Sequence, residues 1–139
     1  MLDNNKKPFL MNVMLIDDDI PTNEYNKILS TDFDLAQEII THTNAAEALK
    51  ELSLIESEYD FPQLILVDIN MPGMDGHEFV TQVKEMEGFH ENRTEIVSLT
   101  SSKPMNYLEK DNINSVEFLY FKPLTEDILY SILRDCFNM

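Results

Sequence analysis

The run Leu64, Ile65, Leu66, Val67 is aliphatic without alternation and stops at Asp68, just before the turn-forming stretch MPGMDG. A strand that faces water on one side alternates apolar and polar residues. This one therefore predicts burial on both faces, as in the middle of a parallel sheet covered by helices. A carboxylate that closes such a strand lies at the carboxyl edge of the sheet, where open α/β folds hold their ligands. The rest of the chain keeps the same order, with short apolar runs between amphipathic stretches. Five β-then-α units in succession predict an α/β fold: a parallel sheet with helices on both faces.

Strands are expected over residues 10–16, 35–41 (the weakest, and an edge), 63–67, 95–99 and 116–121. Helices are expected over 22–29, 44–56, 76–87, 104–111 and from the Thr125 cap through 137. The first presents Tyr25, Ile28 and Leu29. The second carries Ala45, Ala48, Leu49, Leu52 and Ile55 at helical spacing, with Asn44 and Glu47 placed as in a capping box. The third has the stripe Phe79, Val80, Val83 and Met86. In the last, Glu126 and Asp127 favour the first turn, and Ile128, Ile132 and Cys136 line one face. Residues 88–94 read as a surface loop.

At 139 residues, with no linker or repeat, one domain over 1–139 is the expectation. Ten basic against 26 acidic residues give a net charge of −16, a surface that repels nucleic acid and anionic membrane. No apolar run approaches the roughly 18 residues of a membrane span. The N-terminal segment lacks the long apolar region of a signal peptide. A single cysteine excludes an internal disulfide, and Cys136 reads as core filler. A cytoplasmic location is therefore the expectation.

Asp17, Asp18 and Asp19 come directly after the aliphatic end of the first strand. Adjacent carboxylates repel unless a cation offsets them, and hard oxygen ligands suit Mg²⁺. Directions alternate along an extended segment, so the three cannot all face one ion. Asp19, nearest Pro21, is the best helix cap among them. Asp68 ends another strand of the same sheet, and a carboxylate held by Mg²⁺ can attack a phosphoryl group to form an acyl phosphate. The alternative for Asp68, a turn or helix cap, is better filled by Asp75, with Glu78 three residues on. Lys122, before Pro123, is taken alone most simply an ion-pair partner. As a point charge with three donors it also suits a phosphoryl oxygen. The Lys122–Pro123 bond is a candidate cis peptide. Thr100 ends the fourth strand with a hydroxyl able to donate to phosphate, while Ser102 fits the cap of the Pro104 helix better. His42, His77 and His90 lack metal-ligand spacing, and no P-loop, GxGxxG or GxSxG is present.

The motifs IDDD, VDINMPGMDG, LTSS and FKP, in this order, make the chain resemble the receiver domain of bacterial two-component response regulators, over about residues 12–137. The resemblance implies a flavodoxin-like, doubly wound (βα)5 fold with strand order 2-1-3-4-5. It implies that Asp68 accepts phosphate from a phosphohistidine on a sensor histidine kinase or histidine phosphotransfer protein. Asp18 would bind Mg²⁺ directly, and Asp17 would help through water or position the metal. Asp68 and the backbone carbonyl of Asn70 would complete the protein ligands. Lys122 would pair with the phosphoryl group, Thr100 would swing toward it, and Ser101 is small as the entry site requires. One departure is Leu119, three positions before the lysine, where the family carries a switch aromatic; strand alternation points the flanking Phe118 and Tyr120 to the opposite face.

The resulting expectation is a stand-alone phosphoacceptor, not an enzyme beyond self-phosphorylation and autodephosphorylation. It would act on an unknown downstream protein or pass the phosphate on, with Tyr25, Ile28 and the segment after Pro123 as docking groups. The chain closes soon after its last helix, which leaves no room for a DNA-binding output domain. The alternatives are a phosphate-independent docking module, for which Asp68, Thr100 and Lys122 would be superfluous, and a small aspartyl-phosphate phosphatase. The latter would use Asp17 and Asp19 as a DxD pair, but Pro21 stands where its pattern wants threonine and Thr22 is displaced by one.

Overall fold

The computed structural model describes residues 7–71, 73, 76–101 and 118–139, His77 by its backbone only. The expected helix at 104–111, the Ser102 and Asp75 caps, the His77 side chain and the first two residues of the fifth strand lie outside these. The described elements are β1 (Leu10–Ile16), α1 (Ile20–Asp32), β2 (Ala36–His42), α2 (Ala45–Ser53), β3 (Leu64–Asp68), α3 (Gly76–Lys84), β4 (Glu95–Thr100), β5 (Phe118–Phe121) and α4 (Glu126–Phe137). The five strands are all parallel, in the order β2-β1-β3-β4-β5.

The period-two geometry of the strands sorts the core into two layers. Val13, Leu15, Leu64, Leu66, Val97 and Leu99 point to one face and pack with Leu129, Ile132 and Leu133 of α4. Met14, Ile16, Ile65 and Val67 point to the other and pack with Ala48 and Leu52 of α2 and Phe79, Val80 and Val83 of α3. Every residue of β3 is buried, which is what its unbroken aliphatic run requires. The register pairs Ile16 with Val67, Asp68 with Leu99 and Thr100 with Phe121. The strands therefore end side by side, and the residues that close them meet at one edge of the sheet.

Capping agrees with the sequence pattern. The Asn44 side chain accepts from the Glu47 N–H at 3.0 Å, and the Thr125 hydroxyl accepts from the Ile128 N–H at 3.2 Å. Two helices stop earlier than their apolar stripes. After Ser53, the N–H groups of Leu54 and Ile55 bond back to Glu51 and Leu52. After Lys84, those of Glu85 and Met86 bond to Gln82 and Val83. These three-residue bonds tighten the last turn and end the α-ladder, although Ile55 and Met86 still pack on the core.

Helix α1 differs most from its sequence pattern. Of Tyr25, Ile28 and Leu29, only Leu29 packs on the core; Ile20 and Ile28 are each more than 60% exposed, and Tyr25 is 47% exposed. The buried stripe is instead polar: Asn23, Asn26 and Ser30. The Asn23 carboxamide donates to the His42 carbonyl at 3.1 Å, which ties this stripe to the end of β2, and the apolar side of α1 faces outward.

Gly88 sits where the chain after α3 crosses the chain after α2. A Cβ at Gly88 would lie 2.5 Å from the Ile55 carbonyl oxygen and 2.7 Å from the Phe61 ring. Gly88→Ala is expected to cost about 1–3 kcal/mol through backbone displacement, as overpacking does elsewhere. Urea unfolding measures it, and an unchanged midpoint would show that the crossing has slack.

Candidate functional site

Three of the strand ends supply charge. Asp17, directly after β1, is buried, and its N–H donates to the His42 carbonyl at 3.1 Å. One of its carboxylate oxygens accepts from the Asp19 N–H at 2.9 Å, and the other from Lys122 Nζ at 2.7 Å. Asp68, the last residue of β3, is also buried; it accepts from the Asn70 N–H at 2.9 Å and faces Lys122 Nζ at 3.2 Å. Lys122 comes directly after β5 and bridges the two acids across the sheet edge; its peptide bond to Pro123 is cis.

The structure divides the three consecutive aspartates, and because the chain has left β1 after Ile16, adjacent Asp17 and Asp18 converge instead of alternating. Asp17, Asp18 and Asp68 each bring one oxygen within 4.8 Å of the others, Asp18 from the exposed rim. Asp19 is the α1 cap, accepting from the Thr22 N–H at 3.0 Å and from its hydroxyl. Those two hydrogen bonds hold the Asp19 carboxyl below its usual pKa.

The electrostatics are unbalanced. Burial pushes the Asp68 carboxyl up, and the nearby Asp17 charge adds to this; the Asn70 N–H and the Lys122 charge offset only part of it. Burial would lower Lys122, but its hydrogen bonds and charge pairing with Asp17 and Asp68 outweigh that and raise it. The ammonium is therefore held charged, and it pairs with two of the three carboxylates. A divalent cation fits such a set: the donors are all hard oxygens, they converge, and Asp18 completes the group from the exposed side.

Thr100 ends β4 fully buried beside this cluster. Its hydroxyl donates to Asn70 Oδ1 at 2.7 Å, and the Ser101 N–H donates to the same oxygen at 3.1 Å. The bonds of the Asn70 side chain to Thr100 and Ser101 depend on the approach of β4, which no local pattern encodes. The His42 carbonyl, which anchors both Asp17 and Asn23, was missed for the same reason. The His42 ring bonds Glu51 at 2.8 Å and His90 lies 3.6 Å from Glu58, so neither joins the acidic cluster. On β5, Phe118 and Tyr120 pack on the α1/α4 layer. The Tyr120 hydroxyl donates to Asp135 at 2.7 Å; burial first and this bond second push its pKa well above the usual phenol value. Leu119 lies beside Ser98 in the register, on the other face.

Residues 13–134 match the family described as the response regulator receiver domain. Over 117 residues, 84% of this chain, the sequence is 32% identical to the sensor protein EvgS of Escherichia coli strain K12, of whose length the match spans only 9%. The crystal structure of a two component response regulator from Cytophaga hutchinsonii is similar with a TM-score of 0.77 and 27% identity, covering 96% of this chain and all of that one. A second similar structure is the receiver domain of the sensor histidine kinase PA1611 from Pseudomonas aeruginosa PAO1, with a magnesium ion coordinated in its active site cleft. Its TM-score is 0.70, its identity 16%, and 89% of this chain and 94% of that one are covered.

Proposed function

Because the chain belongs to the response regulator receiver domain family, a signal-transduction module of two-component systems, we propose that Asp68 accepts a phosphoryl group from a phosphohistidine on a sensor histidine kinase or histidine phosphotransfer protein. One Asp68 oxygen attacks phosphorus and forms the acyl phosphate bond. The phosphorus–nitrogen bond of the donor breaks, and the leaving imidazole keeps its electron pair and takes up a proton. The observation that carries this reading is the convergence of a buried carboxylate, two further aspartates and one ammonium at the sheet edge.

Asp17, Asp18, Asp68 and the Asn70 carbonyl would hold Mg²⁺, Asp18 directly and Asp17 through water or by positioning the metal. When bound, Mg²⁺ supplies the positive charge that lets anionic donor and acceptor approach. Lys122 already points at Asp68, so a phosphoryl oxygen there meets a charged donor without rearrangement. Buried Asp17 orients Lys122. The sheet edge beside α1 supports docking: a hollow of about 260 Å³ is lined by Pro21, Tyr25, Pro123 and Leu124, with exposed Ile20 and Ile28 on α1. The Tyr25 hydroxyl donates to the Leu124 carbonyl at 3.2 Å, which holds this rim together. Partner entry over α1 predicts that Tyr25→Ala with Ile28→Ala slows transfer from the phosphorylated partner about tenfold or more, as loss of interface anchors does. Uptake from a small donor stays unchanged; equal transfer rates in variant and wild type would refute the docking face.

The test of the reading is incubation of the full chain with Mg²⁺ and acetyl phosphate or a phosphorylated histidine partner. Wild type should gain one base-labile phosphoryl group by mass, and Asp68→Asn none. A wild type that gains nothing from either donor would overturn it. Rapid turnover of unrelated phosphate esters would instead favour a phosphatase.

A further inference from the structure

The Asn70 carboxamide occupies two groups at the end of β4 that a newly arrived anion could use. Its Oδ1 accepts from the Thr100 hydroxyl at 2.7 Å and from the Ser101 N–H at 3.1 Å. A backbone N–H can only donate, so the atom it meets must be the amide oxygen. The Thr100 hydroxyl, meeting the same oxygen, must then point its single proton at Asn70. The same residue is fixed to the acceptor carboxylate, because the Asn70 N–H donates to Asp68 at 2.9 Å. One residue thus joins Asp68 to the two donors of β4.

We propose that the Asn70 side chain is a ground-state latch: it holds Thr100 and Ser101 in the unmodified arrangement and competes with the phosphoryl group on Asp68 for their hydrogen bonds. The inference rests on Asp68 being the phosphoacceptor. Its physical basis is a difference in acceptor strength. The carboxamide is neutral, whereas phosphoryl oxygens are anionic, and hydrogen bonds to an ionised acceptor are about twice as strong. Phosphorylation can therefore break the latch, while the latch keeps unmodified protein from sampling the released arrangement. Asn70 is a positioning residue in this role, acting through Thr100 and Ser101. It is exposed, so its truncation leaves the core intact, and the backbone groups that serve Asp68 and the metal remain in the alanine variant.

The test uses isotope-labelled full chain with Mg²⁺ and beryllofluoride, an unreactive phosphoryl mimic. In the free protein, Asn70→Ala should speed hydrogen exchange at the Ser101 N–H. It should tighten beryllofluoride binding about fivefold, the worth of one ordinary neutral hydrogen bond. In a Thr100→Val background the same substitution should give twofold or less, since half of what the latch restrains has gone. Equal affinity in wild type and Asn70→Ala, or an undiminished gain without the Thr100 hydroxyl, overturns the latch. If wild type takes up no beryllofluoride, the phosphoacceptor reading fails and the competition fails with it. Uptake by wild type without any gain in Asn70→Ala removes the latch alone.

Discussion

Lys122→Met should unfold at much lower denaturant than wild type at pH 7, with a loss of about 3 kcal/mol, near the lower end of what stripping one partner from a buried ion pair costs. Methionine keeps the length and apolar stem of the side chain but removes the ammonium that Asp17 meets at 2.7 Å and Asp68 at 3.2 Å. Two buried carboxylates would then face each other with Asp18 nearby and no cation between them. The lower end applies because Asp18 opens the cluster to water. The pH dependence separates this cause from lost packing. The folded-state pKa of Lys122 is raised, so its stabilisation is complete below the ordinary lysine value and disappears only as pH rises through the raised one. In Lys122→Met the uncompensated carboxylates take up protons more readily in the folded than in the unfolded chain. The deficit should therefore be full at neutral pH and shrink as pH falls toward the carboxylate range. Urea unfolding at several pH values measures this. A deficit independent of pH would assign the loss to packing, and no deficit would remove the pairing.

Much of this arrangement was legible because one-dimensional patterns settle it. The unbroken aliphatic run before Asp68 required two-sided burial, and the expectation that the three aspartates do not all face one ion holds, although adjacent Asp17 and Asp18 converge where strict alternation would part them. Asp19, two residues before Pro21, was a cap by local chemistry alone, and so it is in the structure. The strand order needed the family resemblance, since no local pattern chooses neighbours in a parallel sheet. What local reasoning could not reach depends on other elements. The outward apolar side of α1 goes with a contact between Asn23 and the His42 carbonyl at the end of β2, across 19 residues. The Asn70 side chain finds its donors 30 residues away on β4. Carboxamides are placed by partners rather than by periodicity. Beside Leu119, Tyr120 is committed to Asp135 on the opposite face and so does not stand in for an aromatic at that position.

Asp68→Asn should be more stable than wild type at neutral pH without metal, and should lose all stabilisation by Mg²⁺. Both effects have one origin. The folded-state pKa of Asp68 is raised even with the attraction of Lys122 included, so burial and Asp17 together make its ionised form unfavourable. A carboxyl raised in this way costs stability above its folded-state pKa. The cost falls as protons bind and is gone below the ordinary carboxylate value. Asparagine is never ionised, so its advantage should be present at pH 7 and vanish in acid. Mg²⁺ would offset the same cost by supplying charge beside the buried carboxylate. At a hundredfold excess over its Kd it should stabilise wild type by about 2.7 kcal/mol, and less as pH falls and protons compete for the ligands. Asp18→Asn should lose most of the metal effect from the exposed side while retaining the buried Asp68 and Lys122 pair. Thermal melts with and without Mg²⁺ at pH 5 and pH 7 test the whole set. If Asp68→Asn were still stabilised by Mg²⁺ as strongly as wild type, the ion would be bound elsewhere and the three aspartates would not be its site.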